Sequence, residues 1–342
     1  MFSQASAPAD PVNLPIGAPS PSPSSEFAAL FGPVTTGELE LSSLDKNSAA
    51  GPDAVSVTYW EKIPAPVRVL FLNLVMLNGR FPASLTISRT IFIPKVAEAR
   101  RPNEVRPISI CSVDVRALSK VLASGAENLQ ILSGVQRAFR RRVDGVAENL
   151  HVLTSILREA TTKPRGLYLA TVDMAKAFDT ISHASISQAC RRRGLPEAFV
   201  RFVERFYEDG ATVLTAGGAR SDPVRVRRGV KQGDPLSPFL FCLVLDEVLA
   251  RLPKAVGFRI GCKGVIRALA YADDVILFAS TKQGLLESLD SLSVALVAVG
   301  LRVNPEKSLT IAVVPDGKNR RVKVDPNVTF QVGVRKVPAG NT

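Results

Sequence analysis

The sequence predicts an α+β fold in which helices cover a sheet. Two observations favour it. Short runs of strand-forming residues are mixed irregularly with longer apolar helical patterns along the chain. Apolar strands also end in carboxylates at two separate places, at Asp173 and at the pair Asp273-Asp274. Strands that carry carboxylates, with helices on one face, indicate an α+β sheet rather than a doubly wound parallel one.

Composition indicates a polyanionic partner. The chain of 342 residues has 43 Lys and Arg against 31 Asp and Glu, a net charge of +12, and is 46% hydrophobic. This balance suits a globular protein that binds nucleic acid or an anionic membrane surface. No run of about 18 uncharged apolar residues is present and the N-terminus lacks a secretory pattern. We therefore expect a soluble intracellular protein with no membrane partner.

The cysteines do not favour a zinc site. Cys111, Cys190, Cys242 and Cys262 are far apart, with no Cys-x-x-Cys pair and only two histidines in the chain. We expect buried, reduced thiols.

Low-complexity sequence occupies residues 1–26, where proline, serine and alanine predominate. A segment of this composition cannot bury enough apolar surface to offset the entropy of ordering it. We therefore predict a disordered leader over 1–26, followed by one multi-lobed unit with regular apolar periodicity from Phe27 onward.

Apolar patterns in the first half of the chain predict two helices and two strands. Residues 67–77 are too apolar for a surface helix and predict a buried one that ends at Gly79. Residues 90–93 predict a short strand stopped by Pro94, and residues 167–172 predict a second strand. The other helix is indicated by Leu150, Leu153, Ile156 and Leu157.

The next elements are an amphipathic helix and a hairpin. Residues 197–208 follow Pro196, a good helix-start residue, and predict the helix. Its apolar face is formed by Phe199, Phe202, Val203 and Phe206. Segments 211–215 and 224–228 flank Gly217-Gly218 and predict the hairpin.

The last elements surround the paired carboxylates. Residues 236–252 predict a long apolar helix, with Asp234 as its cap and Pro235 as its first residue. Residues 265–279 predict two strands joined by a tight turn. A final helix closed by Gly300 is indicated by Leu285, Leu286, Leu289, Leu292 and Leu296.

The carboxylates predict a metal site. Adjacent like charges repel each other and resist partial burial, but a divalent cation neutralises them, and Mg²⁺ prefers oxygen ligands. Asp173, Asp273 and Asp274 on neighbouring strands could hold two Mg²⁺ ions about 3.5 to 4 Å apart for in-line phosphoryl displacement. The alternative is that Asp273-Asp274 is only a polar turn.

A set of motifs resembles the reverse transcriptase of non-LTR retrotransposons, closest to the site-specific type-1 elements that insert into ribosomal RNA genes. The motifs run in the family's order from about Gly51 to Lys307. They are Gly51-Pro52-Asp53, Ile93-Pro94-Lys95, Arg106-Pro107-Ile108-Ser109, Gln136-Arg137-Ala138-Phe139, Asp144-Gly145-Val146, the run 172–179, the run 229–241, Tyr271-Ala272-Asp273-Asp274 and Asn304-Pro305-Glu306-Lys307.

The resemblance implies a right-hand polymerase with fingers and an antiparallel palm sheet covered by helices. The implied division is fingers and template-binding region over 27–165, palm over 166–315, and a basic tail over 316–342 that stops before a thumb.

The resemblance also implies the catalytic residues. Asp173, Asp273 and Asp274 would be the catalytic ligands of two Mg²⁺ ions, and the Met174 backbone carbonyl would complete one coordination sphere. Phe178 would crowd the sugar 2′ position and exclude ribonucleotides, because the 2′-hydroxyl separates the two precursor classes. The alternative for Phe178 is ordinary core packing.

Five further residues would bind the nucleotide. Lys95 and Arg106 match positions that grip the triphosphate, where a point charge and a planar fork neutralise phosphate oxygens. Gln232 and Gly233 match a motif that holds the sugar and the templating base. Lys307 matches a lysine proposed to protonate departing pyrophosphate. Lys95 and Lys307 could instead be surface charges.

Other polar residues have simpler interpretations. The arginines of 137–142 and 191–193 suit phosphate contacts with template or primer, or else form solvated faces. Asp179 and His183 are interpreted as structural. We expect Tyr271 to pack beneath the carboxylate turn.

The function implied is RNA-directed DNA synthesis in target-primed reverse transcription. The partners would be an RNA template, a DNA primer and deoxynucleoside triphosphates, and the location would be the nucleus. The alternative is a truncated, inactive remnant that keeps the fold and at most binds RNA. An RNA-dependent RNA polymerase and a group II intron maturase are lesser alternatives, disfavoured by Phe178 and by the form of the 229–241 motif.

Overall fold

The computed structural model describes residues 25–261, 264–316, 321–325, 330–332 and 335–337. The predicted leader therefore lies outside the described residues except for Ser25 and Glu26, which begin a 3-10 helix over Ser25–Phe31. Cys262 also lies outside them. The other cysteines, Cys111, Cys190 and Cys242, are free and buried as predicted.

Helices form much of the described chain. A second 3-10 helix covers Pro102–Glu104. The α-helices are α1 (Thr36–Leu41), α2 (Val57–Glu61), α3 (Ala65–Asn78), α4 (Ala83–Thr86), α5 (Val113–Asn128), α6 (Gly145–Thr162), α7 (Ala177–Thr180), α8 (His183–Arg192), α9 (Glu197–Glu208), α10 (Ser237–Leu249) and α11 (Lys282–Ala298). None of the described helices combines the length and apolar character that crossing a membrane requires.

The strands form two larger sheets and two short pairs within the described residues. They are β1 (Ile87–Pro94), β2 (Val105–Ile110), β3 (Leu167–Val172), β4 (Ala211–Ala216), β5 (Ala219–Arg220), β6 (Val224–Arg225), β7 (Phe258–Arg259), β8 (Val265–Ile266), β9 (Ala268–Tyr271), β10 (Asp274–Ala279), β11 (Leu309–Asp316), β12 (Arg321–Val324), β13 (Phe330–Val332) and β14 (Arg335–Val337).

The palm sheet has the order β12-β11-β3-β10-β9. Every neighbouring pair in it is antiparallel, as predicted. Successive side chains of a strand point to opposite faces, so each strand contributes to two cores. Ala170 and Val172 of β3 join the main core with α8, α10 and α11, whereas Leu167 and Leu169 join a smaller core with α6. Helices therefore cover both faces of this sheet, not one.

The fingers sheet has the order β2-β1-β4-β5, with β6 also paired to β4. β1 and β4 run parallel, and the chain between them passes through the palm strand β3. A buried polar contact joins the two strands where the Thr90 and Thr212 hydroxyls lie 2.7 Å apart. The two sheets are thus interleaved in sequence, so neither sheet is built from one continuous stretch of the chain.

Several predicted elements are confirmed. β3 and α9 have the predicted bounds, 167–172 and 197–208. The strand predicted over 90–93 begins earlier, at Ile87, and ends at Pro94. The hairpin turns at Gly217-Gly218 as predicted, but its second strand is β5, and of the predicted segment 224–228 only Val224–Arg225 pairs with β4, as β6.

Two predictions about helices are wrong in part. α3 ends at Gly79 as predicted, but only one face of it is buried, with Leu72 and Val75 in the core. Its other face exposes the apolar residues Val67, Leu70, Leu74 and Leu77. α10 begins at Ser237, not Pro235, because residues up to Leu236 form a turn. The Asp234 carboxylate still accepts the Leu236 N–H at 3.0 Å.

The palm sheet extends beyond the boundary placed at residue 315. β12 pairs with β11 from Val313↔Val324 to Asp316↔Arg321, so part of the segment 316–342 continues the sheet. The division into fingers, palm and tail otherwise stays a prediction.

Two of the arginines of 191–193 are engaged with acidic side chains of the protein itself. Arg193 contacts the Asp246 carboxylate, whose side chain is 1% exposed, and Arg191 pairs with Glu197 and Glu204. Asp246 also accepts the Ser133 N–H at 2.9 Å. A buried carboxylate needs such partners because desolvation penalises its charged form. The phosphate-contact interpretation of Arg191 and Arg193 is therefore replaced by a structural one.

Removing the partner of Asp246 should destabilise the fold. We expect Arg193→Met to lower the free energy of unfolding by about 3 kcal/mol, because it leaves a buried carboxylate with only its Ser133 contacts. Urea denaturation followed by circular dichroism measures the change. Arg201→Met, at a side chain 67% exposed with one ion pair to Glu197, is the matched control and should cost a few tenths of a kcal/mol. Equal effects of the two substitutions would contradict the structural role of Arg193.

Candidate active site

Two carboxylates lie at the β9–β10 hairpin. Tyr271 pairs with Asp274, so Ala272 and Asp273 form the turn between them. Ala272 is buried and has a φ of 52°, a left-handed conformation that is uncommon for a residue other than glycine. Apolar strands on both sides hold this turn at the edge of the palm core.

The third carboxylate comes from β3. Val172 pairs with Val275, so Asp173 and Asp274 occupy the next position of the same antiparallel register. Burial is the largest cause that raises the pKa of Asp273, and the neighbouring Asp274 and Asp173 carboxylates raise it further. The fold therefore brings the three predicted acids into electrostatic range of one another.

Asp173 is held by a segment from the far end of the palm. Asn304 Nδ2 donates to Asp173 Oδ2 at 3.0 Å, and Asp173 N donates to Ser308 Oγ at 3.1 Å. The main-chain N–H of Asn304 also donates to the Asp173 carbonyl at 2.8 Å. Asn304 was visible in a motif, but its role was missed because contact with Asp173 depends on tertiary structure.

Met174 and Lys307 lie beside the same segment. Met174 forms an isolated bridge with Val303, flanked by a bond from Ala175 N to Arg302 O at 2.9 Å. Its side chain is buried, so the backbone is the part of Met174 that can face a ligand. Lys307 is exposed at the turn that follows Asn304, where its N–H donates to the Asn304 carbonyl at 3.3 Å.

The donor set fits a divalent cation in its chemistry. Carboxylate oxygens are hard ligands, and a cation would relieve the repulsion that raises the pKa of Asp273. The described residues contain no ready-made group of three or more His, Cys, Asp or Glu side chains that could hold a metal ion. The acids that could contribute ligands are Asp173 and Asp274, at adjacent strand ends, and Asp273 in the turn beside them.

The 229–233 segment connects the fingers to the palm. Val230 N donates to the Phe178 carbonyl and Ser109 N, in β2, donates to the Gln232 carbonyl, both at 2.7 Å. Gly233 has a φ of 112°, and a Cβ there would lie 2.8 Å from the Ser109 carbonyl oxygen. Glycine is required at this contact for both reasons.

Phe178 lies next to this segment. Its ring stacks on the buried Phe241 ring with centroids 4.6 Å apart, and the side chain is partly exposed. Phe178 therefore packs against the core with one part of its ring and leaves another part exposed.

Lys95 and Arg106 lie on the fingers hairpin. Ile93 pairs with Arg106, and Lys95 N donates to the Glu104 carbonyl at 2.7 Å. Because side chains alternate along a strand, this register places Lys95 and Arg106 on the same face of the hairpin. Both residues are exposed.

Of the residues predicted to have structural roles, His183 and Asp234 are confirmed and Tyr271 is not. His183 is structural as predicted, since Nε2 lies 2.9 Å from the Gly229 carbonyl and the ring stacks on Tyr207. Asp234 is buried and acts as a local cap. Tyr271 does not pack beneath the turn as expected but is 40% exposed, because side chains alternate along β9 and Tyr271, its last residue, lies on the face opposite the buried Ala270.

Residues 93–325 match the family model described as reverse transcriptase (RNA-dependent DNA polymerase). The chain belongs to the reverse transcriptase family. This match runs from the end of β1 through β12 and includes all three carboxylates. Members of this family generally use divalent metal ions. The α+β fingers-and-palm fold predicted from the sequence is confirmed.

Relatives specify the branch of the family. The chain is 39% identical over 312 residues to the Retrovirus-related Pol polyprotein from type-1 retrotransposable element R2 of Nasonia vitripennis. It is 37% identical over 310 residues to the polyprotein from type-2 element R2DM of Drosophila melanogaster. Each match covers 91% of this chain but 30% and 29% of those polyproteins. The resemblance to ribosomal-gene non-LTR elements is confirmed, and the chain spans under a third of these relatives.

A solved structure is also similar. Apo telomerase from Candida tropicalis, truncated from its C-terminal domain, aligns with a TM-score of 0.48 and 14% identity. The alignment covers 79% of this chain and 60% of that one.

Removing the amide that holds Asp173 should weaken metal binding. We expect Asn304→Ala to reduce the affinity for Mn²⁺ by about 10- to 100-fold, as loss of a hydrogen bond to a metal-binding carboxylate generally does. Loss of the free-Mn²⁺ electron paramagnetic resonance signal measures the affinity. Asn78→Ala, at an exposed helix end, is the control. Unchanged affinity in folded Asn304→Ala would show that Asn304 does not support a metal ligand.

Proposed function

We propose that the chain catalyses RNA-directed DNA synthesis for a non-LTR retrotransposon, using Asp173, Asp273 and Asp274 with two Mg²⁺ ions. The observation that carries this proposal is the common register that brings Asp173 and Asp274 to adjacent strand ends, with Asp273 in the turn beside them. When bound, Mg²⁺ would supply charge neutralisation for the primer 3′-hydroxyl and for the departing pyrophosphate. The Met174 carbonyl would add an oxygen ligand.

The protein's own residues bind and orient the nucleotide. Lys95 and Arg106, on one face of the fingers hairpin, neutralise triphosphate oxygens. Gln232 and Gly233 hold the sugar and the templating base against β2, where glycine permits close approach. Lys307, exposed beside the segment that holds Asp173, supplies a proton to pyrophosphate.

Phe178 sets the choice of sugar in this proposal. Its stacking on Phe241 fixes the ring, while its partly exposed edge crowds the 2′ position. A fixed bulky side chain excludes an added hydroxyl better than a mobile one, because relief of the clash would require repacking of the core.

We also propose the partners and the location that are expected for this branch of the family. An RNA template, a DNA primer and deoxynucleoside triphosphates would be the substrates, in target-primed reverse transcription in the nucleus. Similarity to R2 polyproteins over 91% of this chain supports this assignment. The net charge of +12 favours contact with nucleic acid.

An inactive remnant is not favoured. All three carboxylates are present, and Asn304 and Ser308 still make the contacts that support Asp173. Phe178, Gly233 and the links from 229–233 to both sheets are also in place.

The proposal is tested by incorporation of labelled dTTP on poly(rA)/oligo(dT) with Mg²⁺. We expect Asp273→Ala to reduce the rate by roughly 10³-fold, because loss of a metal ligand removes several kcal/mol of transition-state stabilisation. Asp290→Ala, at an exposed position of α11, is the control and should leave the rate unchanged. Equal rates for Asp273→Ala and the unsubstituted chain would refute the proposal, as would no incorporation by a folded chain that binds the duplex.

Shortening Phe178 should relax sugar selection. We expect Phe178→Ala to reduce the ratio of dTTP to UTP incorporation efficiency by about 10- to 100-fold, because steric discrimination in a pocket is worth roughly 1–3 kcal/mol. Single-nucleotide kcat/KM values for the two substrates measure the ratio. Tyr59→Ala, a ring 67% exposed on α2, is the control. A constant ratio in active Phe178→Ala would assign the ring to packing alone.

A further inference from the structure

Gln136 lies in a segment that docks on the open edge of the palm sheet. It forms a parallel bridge with Ala270 of β9, the edge strand. Ala270 N donates to the Val135 carbonyl at 3.2 Å, and Arg137 N donates to the Ala270 carbonyl at 3.1 Å. A short stretch between α5 and α6 therefore extends the sheet beside the hairpin that carries Asp273 and Asp274.

The Gln136 side chain is fully buried, and both the oxygen and the nitrogen of its amide are hydrogen-bonded. Oε1 accepts Ala272 N–H at 2.9 Å and Ala138 N–H at 3.1 Å. Nε2 donates to the Ala272 carbonyl at 3.1 Å. One side chain thus satisfies both backbone polar groups of Ala272. If the amide were flipped, its NH₂ group would face the N–H groups of Ala272 and Ala138, and its oxygen would face the Ala272 carbonyl. The three contacts therefore fix one orientation of the Gln136 amide.

Ala272 needs this support. Its left-handed φ of 52° is unfavourable for an L-residue, and its backbone groups are buried with it. Buried N–H and C=O groups require partners, and here one side chain supplies both. Asp273 is the next residue, so the direction of its carboxylate depends on the conformation of Ala272.

We infer that Gln136 is a positioning residue for nucleotidyl transfer, which holds Ala272 in its left-handed conformation and so aims Asp273 at the metal site. This inference rests on the proposed function. Gln136 touches neither substrate nor metal, because it is buried behind the turn. Its effect reaches the chemistry through the Ala272 backbone.

Two substitutions separate positioning from folding. Gln136→Met keeps a similar length and deletes all three hydrogen bonds. Gln136→Glu keeps the two accepting contacts and the side-chain volume, and in its ionised form, favoured by assay at pH 8 or above, it faces the Ala272 carbonyl with a second acceptor and so opposes the turn. Gln188→Met, at an exposed position of α8, is the matched control.

Mn²⁺ binding without substrates gives the main readout, by loss of the free-ion electron paramagnetic resonance signal. We expect both Gln136 variants to bind Mn²⁺ about 10- to 100-fold more weakly, and Gln188→Met to bind it unchanged. The Mg²⁺ concentration for half-maximal dTTP incorporation should rise in parallel, while the Kd for the primer–template, from fluorescence anisotropy, stays constant. If Gln136 were needed only for folding, its substitution would lower the fraction of active protein. The Mg²⁺ concentration for half-maximal dTTP incorporation would then stay unchanged.

Each outcome is decisive. Wild-type Mn²⁺ affinity in a folded Gln136→Met chain overturns the inference, and if that variant does not fold, Gln136→Glu is judged in the same way. Failure of both to fold overturns it too, because Gln136 would then serve the fold. Asp273→Ala distinguishes a failure of this inference from a failure of the proposed function. If Asp273→Ala and the Gln136 variants all keep full Mn²⁺ affinity, the proposed metal site is wrong. If Asp273→Ala loses affinity and the Gln136 variants keep it, only the role of Gln136 is wrong.

Discussion

Repulsion among three carboxylates is the constraint on which the rest of the palm depends. Burial at the edge of an apolar core raises the pKa of Asp273, and the nearby Asp274 and Asp173 carboxylates raise it further, so a cation that neutralises these charges would stabilise the arrangement. The fold opposes this repulsion with contacts from distant parts of the chain. Asn304 and Ser308 hold Asp173 from one side, and Gln136 holds the turn from the other.

Besides the support of the carboxylates, the site requires that the fingers sheet be held against the palm. The 229–233 segment does this with backbone bonds to β2 on one side and to Phe178 on the other. Two of its glycines, Gly229 and Gly233, stand where a Cβ would lie 2.8 Å from a carbonyl oxygen. Gln232 is thereby joined to β2 and Val230 to Phe178, five residues after Asp173, through backbone hydrogen bonds.

The basic residues of this protein serve two purposes, contact with nucleic acid and internal ion pairs. The excess of Lys and Arg suits a nucleic-acid partner, yet Arg191 and Arg193 are engaged with acidic side chains, and Arg137 pairs with Glu148. A run of basic residues in the sequence is therefore a poor guide to a phosphate-binding surface. Burial next to a carboxylate decides which of the two purposes a given arginine serves.

The sequence by itself determined the elements and the three acids. β3 and α9 have their predicted bounds because period-2 and period-3.6 apolar patterns are local properties, and the acids could be found because charge at the end of an apolar strand is unusual. Only the tertiary structure decided which apolar face of α3 is covered, that helices lie on both faces of the palm sheet, and that Asn304 and Gln136 support the site. Those outcomes depend on contacts between residues 131 and 136 positions apart, and no periodicity within a strand or helix encodes such a pairing.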